Sequence, residues 1–193
     1  MSRLVLKILP NLITISRMFA GPVGAYCLLL SASADLNSDA NAWGAISFAL
    51  LVYGAISDGL DGWVARALNA ESALGTLLDP IADKILTGTY LGAFLVISEF
   101  DVWLAVPIVG IIVRDVVVTA LRLFRPHTTA LTVSAEAKFK TAALMVLIMM
   151  PFVFYIAGLR DIADWYFFWV GGIWFIASLS AWTALAYLRK RKA

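Results

Sequence analysis

Charge and the usual metal-binding side chains are scarce in this chain. Only 15% of its 193 residues are charged, and it holds one cysteine and one histidine. With 62% hydrophobic residues and a mean hydropathy of +0.87, an ordinary soluble domain is excluded. The lone Cys27 rules out an intramolecular disulfide and reads as a packing residue. His127 follows Pro126 in a loop and has no companion at metal-ligand spacing, so a Cys/His centre is also excluded. No internal repeat or low-complexity tract is present. The net charge of +2 says little by itself, and no nucleic-acid partner is expected.

What the chain has in quantity is long apolar runs. A helix crossing the hydrocarbon core needs about 20 apolar residues. Windows of that kind fall at roughly 12–31, 43–57 continuing to 67, 77–97, 102–123, 135–157 and 165–188. This predicts an all-α integral membrane protein with six transmembrane helices, folded as a single membrane domain over 1–193. The opening MSRLVLKIL carries Arg3 and Lys7 but is followed by no small-residue cleavage site, so residues 1–10 are expected to form an interfacial amphipathic segment. The breaks between windows, SASADLNSDANA, SEFD, RPHTTALTVS and GLRDIAD, carry loop residues.

Basic residues set the orientation, because loops rich in lysine and arginine stay cytoplasmic. With a cytoplasmic N-terminus, Arg3, Lys7, Arg17, Arg66, Lys84, Arg114, Arg122, Arg125, Lys138, Lys140 and the terminal RKRK lie at or near the inner side, and only Arg160 lies outside. The outer loops hold Asp35, Asp39, Glu99, Asp101, Asp161 and Asp164, with Trp43, Trp103, Trp165 and Tyr166 as an interfacial belt. A multi-pass protein of the bacterial inner membrane is expected, with both termini and the turn between helices 2 and 3 on the cytoplasmic side.

That turn, the hairpin 57–84, carries the chemistry. Asp58 and Asp61 are three residues apart near the end of helix 2, and Asp79 and Asp83 four apart near the start of helix 3, so each pair shares a helix face. In an antiparallel hairpin the two faces can converge. An aspartate at a membrane helix centre costs roughly 2.5–3.5 kcal/mol, and four approach about 10 kcal/mol, so cations must compensate. Arg66 and Lys84 are too few. Divalent ions that favour oxygen ligands, Mg²⁺ or Mn²⁺, suit an all-carboxylate set, and two would balance its charge. Gly59, Gly62, Ala65 and Gly75 remove side chains where helices and a ligand must approach closely, although ordinary membrane-helix packing would use such residues too.

The full spacing, Asp58-x2-Asp61-Gly62-x2-Ala65-Arg66-x8-Gly75-x3-Asp79-x3-Asp83, resembles the signature of the CDP-alcohol phosphotransferase family at every defined position. Pro10-Asn11-Leu12-Ile13-Thr14 with Arg17 looks like that family's N-terminal segment. Arg114, Arg122 and Lys138-Phe139-Lys140-Thr141 look like elements of its phosphatidylglycerophosphate synthase branch. Asp115 stands where that branch usually has glutamate, and Ala137 where glycine is common. The resemblance implies that the four aspartates hold two divalent ions on the pyrophosphate of CDP-diacylglycerol and that Asp83 is also the general base. It further implies donor contacts from Asn11, Thr14, Asp61, Gly62, Arg66 and Ser72, and a homodimer among membrane lipids.

Arg114, Arg122, Lys138 and Lys140 could receive a phosphate-bearing acceptor, and glycerol 3-phosphate fits; positive-inside topology is the plainer use of the same charges. The expected reaction gives phosphatidylglycerol phosphate and CMP. Relatives with the same signature use phosphatidylglycerol, serine or inositol phosphate instead. A small cation transporter is a remote alternative, since intramembrane carboxylates also line ion paths, but the outer halves of the helices, such as 86–97 and 143–156, are almost wholly apolar.

Overall fold

The computed structural model describes residues 3–34, 38–67, 73–124, 135–159, 161 and 165–190; within these, side chains are described except at 3–10, 38, 61–67, 73–74, 76–77, 121–124, 135–138 and 184–190. The described residues form six α-helices and no strand: α1 Arg3–Ser33, α2 Ser38–Ala67, α3 Ala73–Ile97, α4 Val102–Phe124, α5 Ala135–Ile156 and α6 Tyr166–Lys190. Each contains a stretch long and apolar enough to cross a membrane. The chain is a multi-pass membrane protein.

Residues 3–10 run straight into the first span as one helix of 31 residues, about 46 Å long at 1.5 Å per residue. Leu4, Leu6, Lys7 and Leu9 all favour helix, so nothing separates the segment from the span at Asn11–Ser33.

The helices pack as two compact units, Met1–Ile97 and Ser98–Ala193. In the first, α1 is the spine: among the described residues α2 and α3 pack far more extensively on α1 than on each other. Glycine makes this possible at Gly21, where an added Cβ would lie 2.8 Å from the Leu86 Cα, and at Gly24, where it would lie 2.0 Å from the Tyr90 hydroxyl. Fully buried Tyr90 then donates to the Ser47 carbonyl at 2.6 Å, so one side chain of α3 touches both α1 and α2. Satisfying that hydroxyl matters in an apolar interior, where an unpaired polar group is costly.

In the second unit α6 packs against both α4 and α5. Its core is Leu104, Ile108 and Ile111 of α4, Leu144 and Ile148 of α5, and Ile173 and Ile176 of α6. The Trp169 indole donates to the Leu147 carbonyl at 2.8 Å and the Trp174 indole to the Trp103 carbonyl at 2.8 Å, tying α6 to both neighbours. The SEFD segment is a turn in which Glu99 and Phe100 take φ of 51° and 60°, closed by Asp101 N–H donating to the Ser98 carbonyl at 2.9 Å.

Candidate active site

Three of the four signature aspartates have described side chains: Asp58 on α2, and Asp79 and Asp83 on α3. Asp61 shares a face with Asp58, but its side chain lies outside the described residues, as do those of Arg66, Arg122 and Lys138, the surroundings of Gly62 and the whole of Ser72. Among the described side chains no group of three acids, histidines or cysteines is gathered as a metal site.

Asp58 of α2 and Asp79 of α3 each meet a side chain of α1. Thr14, buried on α1, donates its hydroxyl to Asp79 Oδ1 at 3.0 Å. One turn further on, Arg17 forms an ion pair with Asp58 Oδ1 of α2. Arg17 is fully buried, whereas the Asp58 side chain is 59% exposed, so the guanidinium reaches from inside the bundle to an open carboxylate. Asp83 meets Lys84 at 3.3 Å and remains 19% exposed. Its backbone carbonyl accepts from the Thr87 hydroxyl at 2.9 Å. Pro80, between the two aspartates of α3, has no N–H to give the carbonyl four residues earlier, which loosens the helix ladder at the site.

Gly59 lies beside Asp58, and a Cβ there would meet nothing within 4 Å. This glycine therefore serves no helix contact among the described residues. The described carboxylates, Asp58, Asp79 and Asp83, offer oxygen alone, which fits a hard divalent cation and not a thiophilic one.

A second polar cluster lies in the other unit. Arg114 of α4 donates through Nε to the Ser180 carbonyl at 3.2 Å, through NH2 to the Thr183 hydroxyl at 2.9 Å, and through NH1 to Asp115 Oδ1 at 2.9 Å. Lys140 of α5 donates to the same Asp115 oxygen at 2.6 Å. Two cations thus share one carboxylate. Asp115 is 5% exposed and Lys140 3%.

With this geometry in place, the likeness to known proteins is specific. A family model described as CDP-alcohol phosphatidyltransferase matches residues 7–182. The chain belongs to the CDP-alcohol phosphatidyltransferase family. Members of that family generally depend on a divalent cation. A relative from Cereibacter sphaeroides, named CDP-diacylglycerol–glycerol-3-phosphate 3-phosphatidyltransferase, is 34% identical over 146 residues, covering 75% of this chain and 63% of the relative. One of the same name from Wigglesworthia glossinidia brevipalpis is 35% identical over 115 residues, covering 58% of this chain and 60% of its own length. A third, from Rickettsia felis, is 32% identical over 189 residues and covered to 96% on both sides. The chain thus spans less than two thirds of the first two relatives and nearly all of the third.

Sequence reasoning found the aspartates but missed what holds them. Arg17 reads as a topology charge and as part of the N-terminal segment, with no carboxylate partner named for it. The available signal was an arginine one turn from a threonine inside an apolar helix, an expensive placement that calls for a carboxylate partner. Asp115 was noticed only as a departure from a family pattern, yet it joins Arg114 to Lys140.

Proposed function

We propose that this chain transfers the phosphatidyl group of CDP-diacylglycerol to sn-glycerol 3-phosphate, releasing CMP and phosphatidylglycerol phosphate, at the cytoplasmic face of a bacterial inner membrane. The observation that carries this reading is the joining of Asp58 and Asp79, from two different helices, to one face of α1 within the eight-residue signature. Names of the relatives support the donor and the acceptor.

Asp58, Asp61, Asp79 and Asp83 would hold two divalent cations, Mg²⁺ or Mn²⁺, whose chemistry is to neutralise charge on the donor pyrophosphate and on the departing CMP. Arg66 presents a planar fork of donors to the same pyrophosphate, with Asn11, Thr14, Gly62 and Ser72 beside the donor. Asp83 takes the proton from an acceptor hydroxyl. The hydroxyl oxygen then bonds to the phosphorus that bears diacylglycerol, and the bond from that phosphorus to the CMP oxygen breaks.

The acceptor phosphate is received by Arg114, Arg122, Lys138 and Lys140. Arg114 and Lys140 meet at one carboxylate, Asp115, and such a gathering of cations supports an anionic acceptor through charge-assisted hydrogen bonds. Serine, with no phosphate, makes poorer use of it. A homodimer is part of the same reading.

The direct test supplies purified protein with labelled CDP-diacylglycerol, Mg²⁺ and a panel of acceptors, and follows CMP. Release with glycerol 3-phosphate is expected. No CMP with any acceptor would refute the enzyme, and release only with serine would refute the acceptor.

A further inference from the structure

Thr14 and Arg17 stand three residues apart on α1, so their side chains rise from one face, one turn apart. Both are buried, Thr14 at 1% and Arg17 at 0% exposure. Burying a hydroxyl and a guanidinium in an apolar helix is expensive unless each meets a partner. The partners found are two carboxylates from different helices, Asp79 of α3 and Asp58 of α2. In each case the α1 side chain bonds Oδ1, which leaves Oδ2 for a cation.

We propose that this turn of α1 is the positioning element of the metal centre, with Thr14 and Arg17 as positioning residues that act through Asp79 and Asp58. The inference rests on the reading that these aspartates hold the divalent ions. Outer partners of metal ligands fix the ligand's rotamer, and their loss typically weakens metal affinity about 10–100-fold. Because α2 and α3 pack mainly on α1, the same helix that sets their spacing also sets the orientation of one ligand from each.

Arg17 gives the idea a definite sign. If the guanidinium only placed positive charge near the site, its removal would relieve repulsion and tighten cation binding. If it holds Asp58, its removal frees an exposed carboxylate to rotate, and binding weakens.

The test is Mn²⁺ binding to the purified full chain in detergent, followed by the electron spin resonance of free Mn²⁺, without substrate. Thr14→Val keeps the shape of the side chain and removes the hydroxyl; it is expected to raise the Mn²⁺ dissociation constant at least about tenfold, with Thr14→Ser staying within about threefold of the parent. Arg17→Met is expected to weaken binding by a similar factor, with Arg17→Lys intermediate. Thermal unfolding of each variant separates lost binding from lost fold, and the serine and lysine variants carry the test if the others do not fold. Unchanged Mn²⁺ affinity in Thr14→Val, or tighter binding in Arg17→Met, would overturn the positioning role while leaving the proposed reaction standing. A parent chain that binds no Mn²⁺ would overturn both.

Discussion

Lys140 donates to Asp115 Oδ1 at 2.6 Å, joining α5 to α4 through two side chains that are almost wholly buried. Arg114 shares that oxygen and continues to the Ser180 carbonyl and the Thr183 hydroxyl on α6. One carboxylate therefore sits at the junction of three helices. Removing one partner of a buried pair strands the other, at a cost of about 3–5 kcal/mol. Asp115→Ala should lower the unfolding temperature in detergent strongly, and Asp115→Glu much less. An alanine variant as stable as the parent would show that the cluster carries no structural weight.

The same cluster bears on the acceptor. A charge-assisted hydrogen bond contributes about 1.5–3 kcal/mol, or roughly tenfold and more in affinity. Lys140→Met should raise KM for glycerol 3-phosphate about tenfold and leave KM for CDP-diacylglycerol within about twofold. Equal rises in both constants would mean that Lys140 supports the fold and not the acceptor.

In the proposed reaction Asp83 takes the proton. A positioned general base contributes about 10²–10⁴-fold, so Asp83→Asn, which removes the base and its charge, should lower kcat by at least that range, while the unfolding temperature stays close to the parent's. Ordinary turnover in this variant would move the base elsewhere.

Close packing in the first unit makes a separate prediction. Gly24→Ala sets a methyl 2.0 Å from the Tyr90 hydroxyl, with the ring carbon Cζ next at 2.9 Å. Overpacking of this kind costs about 1–3 kcal/mol. Adding Tyr90→Phe removes the nearer clash, so the double variant should unfold at a higher temperature than Gly24→Ala alone. If the two losses simply add, α1 and α3 do not meet there.

Much of this molecule could be read from its residues, for reasons that differ by position. Six spans were legible because bilayer thickness sets helix length, and Asp58, Asp61, Asp79 and Asp83 stand out as candidates because carboxylates at helical spacing are anomalous in an apolar chain. The role of α1 was not legible. Thr14 and Arg17 lie 65 and 41 residues from the aspartates they hold, and only the register of three helices brings them together. Glycine shows the same limit: the small residues of the hairpin drew notice to Gly59, which meets nothing among the described residues, whereas Gly21 and Gly24, outside any motif, seat α3. Spacing within one helix reports which residues share a face; it does not report which helix that face meets.

The all-oxygen character of the site leads to the last prediction. Carboxylate oxygens favour Mg²⁺ and Mn²⁺, whereas Zn²⁺ gains most from nitrogen and sulfur ligands. Chelation with EDTA should abolish CMP release, and added Mg²⁺ or Mn²⁺ should restore it, with Zn²⁺ much less effective. Each aspartate contributes a charge as well as an oxygen, so Asp58→Asn should raise the Mg²⁺ concentration for half-maximal rate by about tenfold or more, even though Asn keeps one ligating oxygen. The amide would also take the charge from the carboxylate that pairs with buried Arg17, so a loss of stability should accompany the loss of metal affinity. Raising Mg²⁺ should then recover part of the rate in Asp58→Asn, and failure to recover any would place Asp58 in packing and not in cation binding.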